Sequence, residues 1–554
     1  MTTPFDLSDR LVDDYARLDP LQATALGLPG HDHLWGDLGP DGEAKRAELA
    51  RRYRSELAEH VDHADPVQRR TVQVVGGILD EQIEAYEAGD HFEDLRHMAS
   101  RFQSLSMVFD MMDTSSGAAW DSICIRLETL DEALDGYRDL LEAGRQTGKT
   151  VAARQVRSVV EQGRALAGET SAFANLVAKA ERTGHGVVVD RLGAAIRHAK
   201  WAVAEFTSYL DSTYLPAARA TDAAGEDRYR RAASRLVGID VDPHEAYAWG
   251  WAELASLIAE AEAVGREILP GASFAEVTSL LETDPARAAA SPEAFVEFIQ
   301  VRLDGARSEL TGTHFDVAAE IEPLTVNLAP PGGPLGAYYL PPSEDFTRPG
   351  GVWYSMGDQT VFPLYHHVST AYHEGFPGHH LQIGTAMVNA DRISRAHRLM
   401  VWYPGFGEGW ALYAERLMLE LGYFERPDYV FGMLAKQLYR ATRVVVDIGL
   451  HLGLTIPAGA PMWAGEAWSF ELATEYLRTY GFRTPDQAVS ETMRYLGWPG
   501  QAIAYKLGER EILSIRAEAE RRRGVAFDLK AFHDQIIGNG AMRLDLLREV
   551  VLQG

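Results

Sequence analysis

Apolar side chains recur at three- and four-residue spacing through most of residues 1–310, in the segments 7–26, 44–60, 67–88, 120–143 and 187–212. That period matches the α-helical turn, so this part of the chain is expected to fold as helix packed on helix. Pro20 interrupts or kinks the first segment. Turn chemistry at Pro29-Gly30-His31-Asp32, Asp62-His63-Ala64-Asp65-Pro66 and Leu269-Pro270-Gly271 separates the others. No fixed-period repeat and no low-complexity tract is present, which argues against a solenoid or a linker-rich array.

The texture changes near residue 313. Segments 321–328, 336–340 and 351–355 read as short strands, parted by Pro330-Pro331-Gly332-Gly333-Pro334 and Pro341-Pro342-Ser343-Glu344-Asp345. Short strands bounded by Pro and Gly predict a small antiparallel sheet. From Phe362 onward the pattern is helical again, with a helix through 373, one over 407–421, a long one over 426–453 and several more up to Leu552. The expectation is a mainly α, large two-lobed helical fold: residues 1–310 as a helical lobe, and 311–554 as a catalytic lobe whose sheet lies beside the cleft, or both as one integrated domain.

With 554 residues, 46% of them hydrophobic and 24% charged, the chain is ordinary globular material and too long for one comfortable core. A formal charge of −27 argues against nucleic acid and against an anionic membrane face as partners. No apolar run reaches the roughly 18–20 residues that span a bilayer. Met1–Arg10 does not read as a signal peptide. One cysteine, Cys124, permits no internal disulfide. A cytoplasmic protein is expected.

Chemistry concentrates in Tyr372-His373-Glu374-Gly375-Phe376-Pro377-Gly378-His379-His380. The usual helical zinc site places two His at i and i+4 with Glu at i+1. Here the i+4 position is Pro377, and the next histidines fall at i+6 and i+7. On a regular helix His373 and His380 would share a face but stand about 10.5 Å apart, while His373 and His379 would point about 120° apart. Pro377-Gly378 disfavours a regular helix at that point. A break there would draw His379 back toward His373, making these two the expected ligands, with His380 as a supporting group or the alternative ligand. Some thirty residues on, Glu408 lies between two glycines and is the expected third ligand; the simpler reading is a helix-start carboxylate that complements the dipole. Glu415, two turns later on the same face, either accepts a proton from a ligand imidazole or is a surface charge.

Gly407-Glu408-Gly409-Trp410-Ala411-Leu412-Tyr413-Ala414-Glu415 resembles the segment that carries the glutamate ligand in gluzincin metallopeptidases. His373-Glu374 followed by Gly378-His379 resembles their zinc helix with two residues inserted. The whole combination resembles the DUF885 family. Further matches are Asp19-Pro20-Leu21-Gln22-Ala23-Thr24-Ala25-Leu26-Gly27, Ala337-Tyr338-Tyr339-Leu340-Pro341-Pro342-Ser343, Val444–His451 and Trp498–Gly508. The resemblance implies a mainly helical fold with a deep cleft and a bound zinc, and no known substrate.

In that setting Glu374 is the expected general base, taking a proton from the attacking water and passing it to the leaving amine. Tyr505 is the expected donor to the oxyanion; a packed core tyrosine is the alternative. Arg440 and Arg443 share a helical face. Arg443, Asp447 and His451 follow i, i+4, i+8, which fits either a buried ion-pair ladder or recognition of a substrate carboxylate by Arg443. The strand that contains Tyr354 either pairs with an extended peptide or is an ordinary internal strand. His366 and His367 read as structural, and His244-Glu245 as a helix start without a metal role. The resulting expectation is zinc-dependent hydrolysis of a peptide or amide. The alternatives are a hydrolase of a non-peptide amide or biosynthetic intermediate, and a non-catalytic helical binding protein with a vestigial metal site.

Overall fold

Helices form where the apolar period persists, and their first turns carry residues that satisfy free N–H groups. In the computed structural model, which describes residues 2–169, 171–329, 336–343, 345–357 and 359–553, Thr3 caps Pro4–Leu18 through a reciprocal box with Asp6. Pro20 interrupts the 7–26 segment as expected: the first helix ends at Leu18 and Pro20 starts a second one, Pro20–Ala25, whose N-cap Asp19 accepts from the Gln22 amide. Asp65 caps Pro66–Ala88, and Gly89 ends it with a φ of 73°. The fold is mainly α, with few and short strands. No described helix is long and apolar enough to cross a membrane. Pro330-Pro331-Gly332-Gly333-Pro334 and Glu344 lie outside the described residues.

The chain divides into two compact units. The first comprises Met1–Asp222 with the short returns Ser394–Met400 and Leu496–Trp498. Its larger core includes Trp120, Tyr137, Leu140 and Phe206. A smaller one joins Leu11, Tyr53 and Val75 to Ala396 from the first return. The amide of Ala396 also donates to Ser8 Oγ at 2.7 Å. The second unit comprises Ala223–Ile393, Val401–Tyr495 and Pro499–Gly554. The change of texture near residue 313 therefore falls inside the second unit, and the residue-310 boundary between lobes does not coincide with the division. Texture reports local conformation, whereas buried faces decide which helices belong together. Gly250, for example, sits so tightly against the 427–452 helix that a Cβ there would lie 2.7 Å from Val444 Cγ1.

The elements that position the site all belong to the second unit. They are α1 (Pro292–Leu310), β1 (Leu324–Leu328), β2 (Ala337–Leu340), β3 (Gly350–Tyr354), α2 (His367–Glu374), α3 (His379–Val388), α4 (Pro404–Glu420), α5 (Pro427–Leu452) and α6 (Ala504–Arg523). The sheet order is β1-β3-β2. β2 and β3 are antiparallel, with Tyr339 opposite Val352, but β1 runs parallel to β3, with Val326 opposite Val352. The sheet is thus mixed where a wholly antiparallel one was expected, because β3 inserts between its two predecessors. This also corrects the peptide-pairing reading of the Tyr354 strand: the main chain of β3 is already paired on both sides, so it has no free edge for a substrate.

Backbone approach between α4 and α6 sets the remaining geometry. A Cβ on Gly409 would lie 2.5 Å from the Gly508 carbonyl carbon, and one on Gly508 would overlap the Gly405 carbonyl oxygen. Only glycines allow helices this close. Gly508→Ala is expected to cost about 2 kcal/mol or more, since the added methyl meets main chain that cannot rotate away; chemical denaturation of the two proteins checks this.

Candidate metal centre

Helix α2 stops directly after His373-Glu374. Gly375 leaves the helical region (φ −93°, ψ −127°) while its N–H still reaches the Ala371 carbonyl at 2.8 Å. The Phe376–Pro377 peptide is cis. Gly378 N–H donates to the Tyr372 carbonyl at 3.0 Å, and α3 begins at His379. A Cβ at Gly378 would overlap the His373 carbonyl oxygen, so the turn closes only with glycine there. Trp410 on α4 fixes it from outside by donating Nε1–H to the Pro377 carbonyl at 2.9 Å. The break turns His379 toward His373, with ring centroids 5.0 Å apart and planes at 84°.

Glu408, in the first half of α4, completes a group of three. Its Oε2 lies 3.3 Å from His373 Nε2 and 3.6 Å from His379 Nε2. Ligand atoms of the three residues all lie within 4.8 Å of one another. Burial opposes a charged imidazole at His373, but bonds to Glu408 and Glu415 outweigh it and lift its pKa to about 9. Burial likewise opposes the Glu408 carboxylate, yet the bonds from His373 and His379 hold its pKa well below the usual range. The centre therefore concentrates negative charge on a spot that two imidazole nitrogens face.

Glu415 is an orienting group and not a surface charge. It is 1% exposed and accepts from His373 Nδ1 at 2.8 Å. Its other oxygen accepts from Ser369 Oγ, and Arg440 Nη2 stands 3.8 Å from Oε1. A proton held on Nδ1 by Glu415 leaves Nε2 as the nitrogen that faces Glu408, where it donates a proton to that carboxylate and would offer its lone pair to a metal ion in the proton's place.

His380 is outside the group. Its Nε2–H donates to the Ile321 carbonyl at 2.7 Å, and its Nδ1 accepts from the Tyr339 hydroxyl at 3.0 Å. Burial pushes its pKa down to about 4, which keeps it neutral for this bridging role. It ties α3 to β2, and the position facing Glu408 falls to His379.

Two further expected residues gather here. Glu374 ends α2, half-buried; burial raises its carboxyl pKa against the opposing pull of His373. Tyr505 opens α6 beneath two guanidiniums, Arg443 at 4.7 Å and Arg440 at 5.9 Å from its ring centre. Burial, then the charge of Glu408, pushes its phenol up to about 12. Tyr354 lies buried with its ring edge-on to Phe295 at 5.1 Å and to His367 at 5.4 Å. Its hydroxyl finds no hydrogen-bond partner among the described residues.

Arg443 is committed elsewhere. It donates to the Tyr439 hydroxyl at 2.6 Å and the Tyr495 hydroxyl at 3.1 Å, and pairs with Glu491 at 3.4 Å. Half of the Arg443-Asp447-His451 ladder pairs directly: Asp447 Oδ1 stands 3.7 Å from His451 Nε2, while Arg443 pairs with Glu491 and meets His451 through Tyr495. Asp447 accepts from the Tyr229 hydroxyl at 2.7 Å and the Gly500 amide at 3.0 Å, while His451 bridges the Ala224 amide and the Tyr495 carbonyl. The rings of His366 and His367 lie tilted at 38° with centres 4.0 Å apart, and burial lowers both pKa values. His244 is exposed beside Glu226. Sequence reading missed Ser369 and gave no role here to Arg440. Both had a signal: Ser369 precedes His373 by one helical turn, and Arg440 falls on the α5 face that also carries Arg443.

Comparison with known proteins adds family and fold. A family model described as "Bacterial protein of unknown function (DUF885)" matches residues 20–551. No curated protein matches the chain. A crystal structure described as "the putative lipoprotein from Colwellia psychrerythraea" is similar over 99% of this chain and 98% of that one, with a TM-score of 0.85 at 22% identity. A second, described as "a putative lipoprotein of unknown function from Shewanella oneidensis", covers 100% of both chains with a TM-score of 0.75 at 15% identity. At these identities the likeness speaks for the fold.

Ligand exchange separates the two adjacent histidines. His379→Ala is expected to weaken divalent-metal binding by at least ~100-fold, while His380→Ala keeps the metal and loses stability through the broken α3–β2 bridge. Metal titration of the two variants, with thermal melts alongside, checks the pair; equal loss of metal in both would reverse the assignment.

Proposed function

The chain belongs to the DUF885 family, and we propose that it is a zinc-dependent hydrolase of peptide or amide bonds. The observation that carries this reading is the convergence of His373 Nε2, His379 Nε2 and Glu408 Oε2 with Glu374 next in sequence to the first of them. Two imidazoles and one carboxylate are a usual zinc set that leaves a fourth position open. Tetrahedral ligands with bonds of about 2.0–2.1 Å stand about 3.3–3.4 Å apart. The separations of 3.3 and 3.6 Å from Glu408 fit that spacing. A bound zinc would polarise the scissile carbonyl and acidify water.

The remaining work falls to the chain's own side chains. Glu374, with its affinity for a proton raised by burial, takes a proton from the attacking water and returns it to the leaving nitrogen. Tyr505 stays protonated at neutral pH, because its phenol pKa is about 12, and donates to the oxygen that gains charge. Glu415 holds the His373 tautomer, and Ser369 and Arg440 hold Glu415.

Hydrolysis of a non-peptide amide or a biosynthetic intermediate would use the same groups, and a screen of defined peptides against acylated amines distinguishes the two. A purely metal-binding protein would have no use for Glu374, which binds nothing in that role. As for location, a single cysteine, Cys124, buried in the first unit, favours the cytoplasm. Two similar structures carry the description "putative lipoprotein", and cell fractionation separates these cases: a lipid-anchored protein partitions with membranes.

Glu374→Gln is expected to bind zinc with unchanged stoichiometry of about one per chain and to lose ~10²–10⁴-fold in kcat. Metal analysis together with turnover of a peptide panel checks both halves; undiminished turnover would remove Glu374 from the base role.

A further inference from the structure

Helix α5 presents Lys436, Arg440 and Arg443 at spacings of four and three, on one face. Of the three, Arg443 is satisfied by Glu491, Tyr439 and Tyr495. Arg440 is not. Its side chain is 12% exposed; among the described residues its only ion pair is the 3.8 Å approach of Nη2 to Glu415, and its Nε and Nη1 are buried without a hydrogen-bond partner. Glu415 is already engaged by His373 and Ser369. Lys436, one turn earlier, makes no hydrogen bond or ion pair among the described residues; the carboxylates of Glu415 and Glu282 act on it only through space. Burial, then the charges of Arg483 and Arg440, pushes its ammonium down to about 7, as befits a cation without a fixed counter-anion.

A buried guanidinium with two unused donors is costly unless something fills them. These donors are not remote from the chemistry. Arg440 touches the carboxylate that orients His373 and lies 5.9 Å from the ring centre of Tyr505. Each of the two unused donors lies next to Nη2, so an incoming carboxylate can bridge Nη2–H and one of them along one edge of the planar guanidinium. One of the two cations is already partly offset by Glu415, so a singly charged anion balances the pair better than a phosphate dianion does.

Resting on the hydrolase reading above, we propose that Arg440, assisted by Lys436, binds a free carboxylate of the substrate, and that the preferred substrates are peptides or N-acyl amino acids whose scissile bond adjoins a C-terminal carboxylate. Arg440 is then a substrate-binding residue that selects for release of a terminal residue, and Glu415 couples it to the orientation of His373.

The test uses the full chain, wild type, Arg440→Gln, Arg440→Lys and Lys436→Gln, with N-acetyl tripeptides ending in Ala, Phe or Lys, each as the free acid and as the C-terminal amide. In zinc-loaded protein the wild type is expected to favour acids over amides by about 10- to 100-fold in kcat/KM. Arg440→Gln should move that ratio toward one, and Arg440→Lys should restore part of it. Calorimetric titration of metal-free protein with the same acids and amides gives a second readout: acids bind more tightly than amides, and the difference falls in Arg440→Gln. Turnover without acid preference overturns this proposal and leaves the hydrolase standing. Acid binding that depends on Arg440 without turnover does the reverse. If Arg440→Gln lowers acids and amides alike, Arg440 only braces Glu415 and the proposal falls. Should Arg440→Gln not fold, the Arg440→Lys and Lys436→Gln ratios decide: unchanged ratios in both overturn it.

Discussion

Everything at the centre of the second unit depends on one buried carboxylate. Glu415 accepts from His373 Nδ1 and from Ser369 Oγ, with Arg440 standing off at 3.8 Å. A charge this deep is tolerable only when paired. The pairing fixes which nitrogen of His373 faces Glu408 and which way it points. It also joins α2, α4 and α5 through side chains from each. Glu408 and Glu415 lie seven residues apart on α4, so one helix supplies both the carboxylate that faces the imidazole nitrogens and the one that aligns them.

Backbone proximity is the second constraint. The turn between His373 and His379 closes only over Gly378, and the main chains of α4 and α6 approach this closely because Gly405, Gly409 and Gly508 carry no Cβ. The first contact brings the two imidazoles together. The second brings Tyr505 close enough to Glu408 for that carboxylate to raise its phenol pKa. His380 supports the same arrangement from the side by tying α3 to β2 through Tyr339 and to the Ile321 carbonyl.

Much of this was legible in the residues. Pro377 at the i+4 position ruled out a regular zinc helix, and the Pro-Gly pair predicted a break of the kind found. The helical period located α4 and α5 to within a few residues, and the Glu408–Glu415 spacing placed both on one face. Less was legible where charge partners come from distant segments. Arg443 and Arg440 look alike on α5, and only the presence of Glu491, Tyr439 and Tyr495 around one of them separates a satisfied guanidinium from an unsatisfied one. The parallel pairing of β1 with β3 was invisible too, because strand order depends on which strand inserts last, not on the turns that bound each one.

The sequence by itself determined the mainly helical class, the break between the two histidines and the chemical types at the centre, because period, proline and glycine act locally. Tertiary structure alone decided that His379 and not His380 joins Glu408, that Glu415 is buried, and that the packing boundary falls near residue 222 and not near 310. Those outcomes turn on which surfaces meet across hundreds of residues. Burial and hydrogen-bond partners are properties of that meeting, and no single segment carries them.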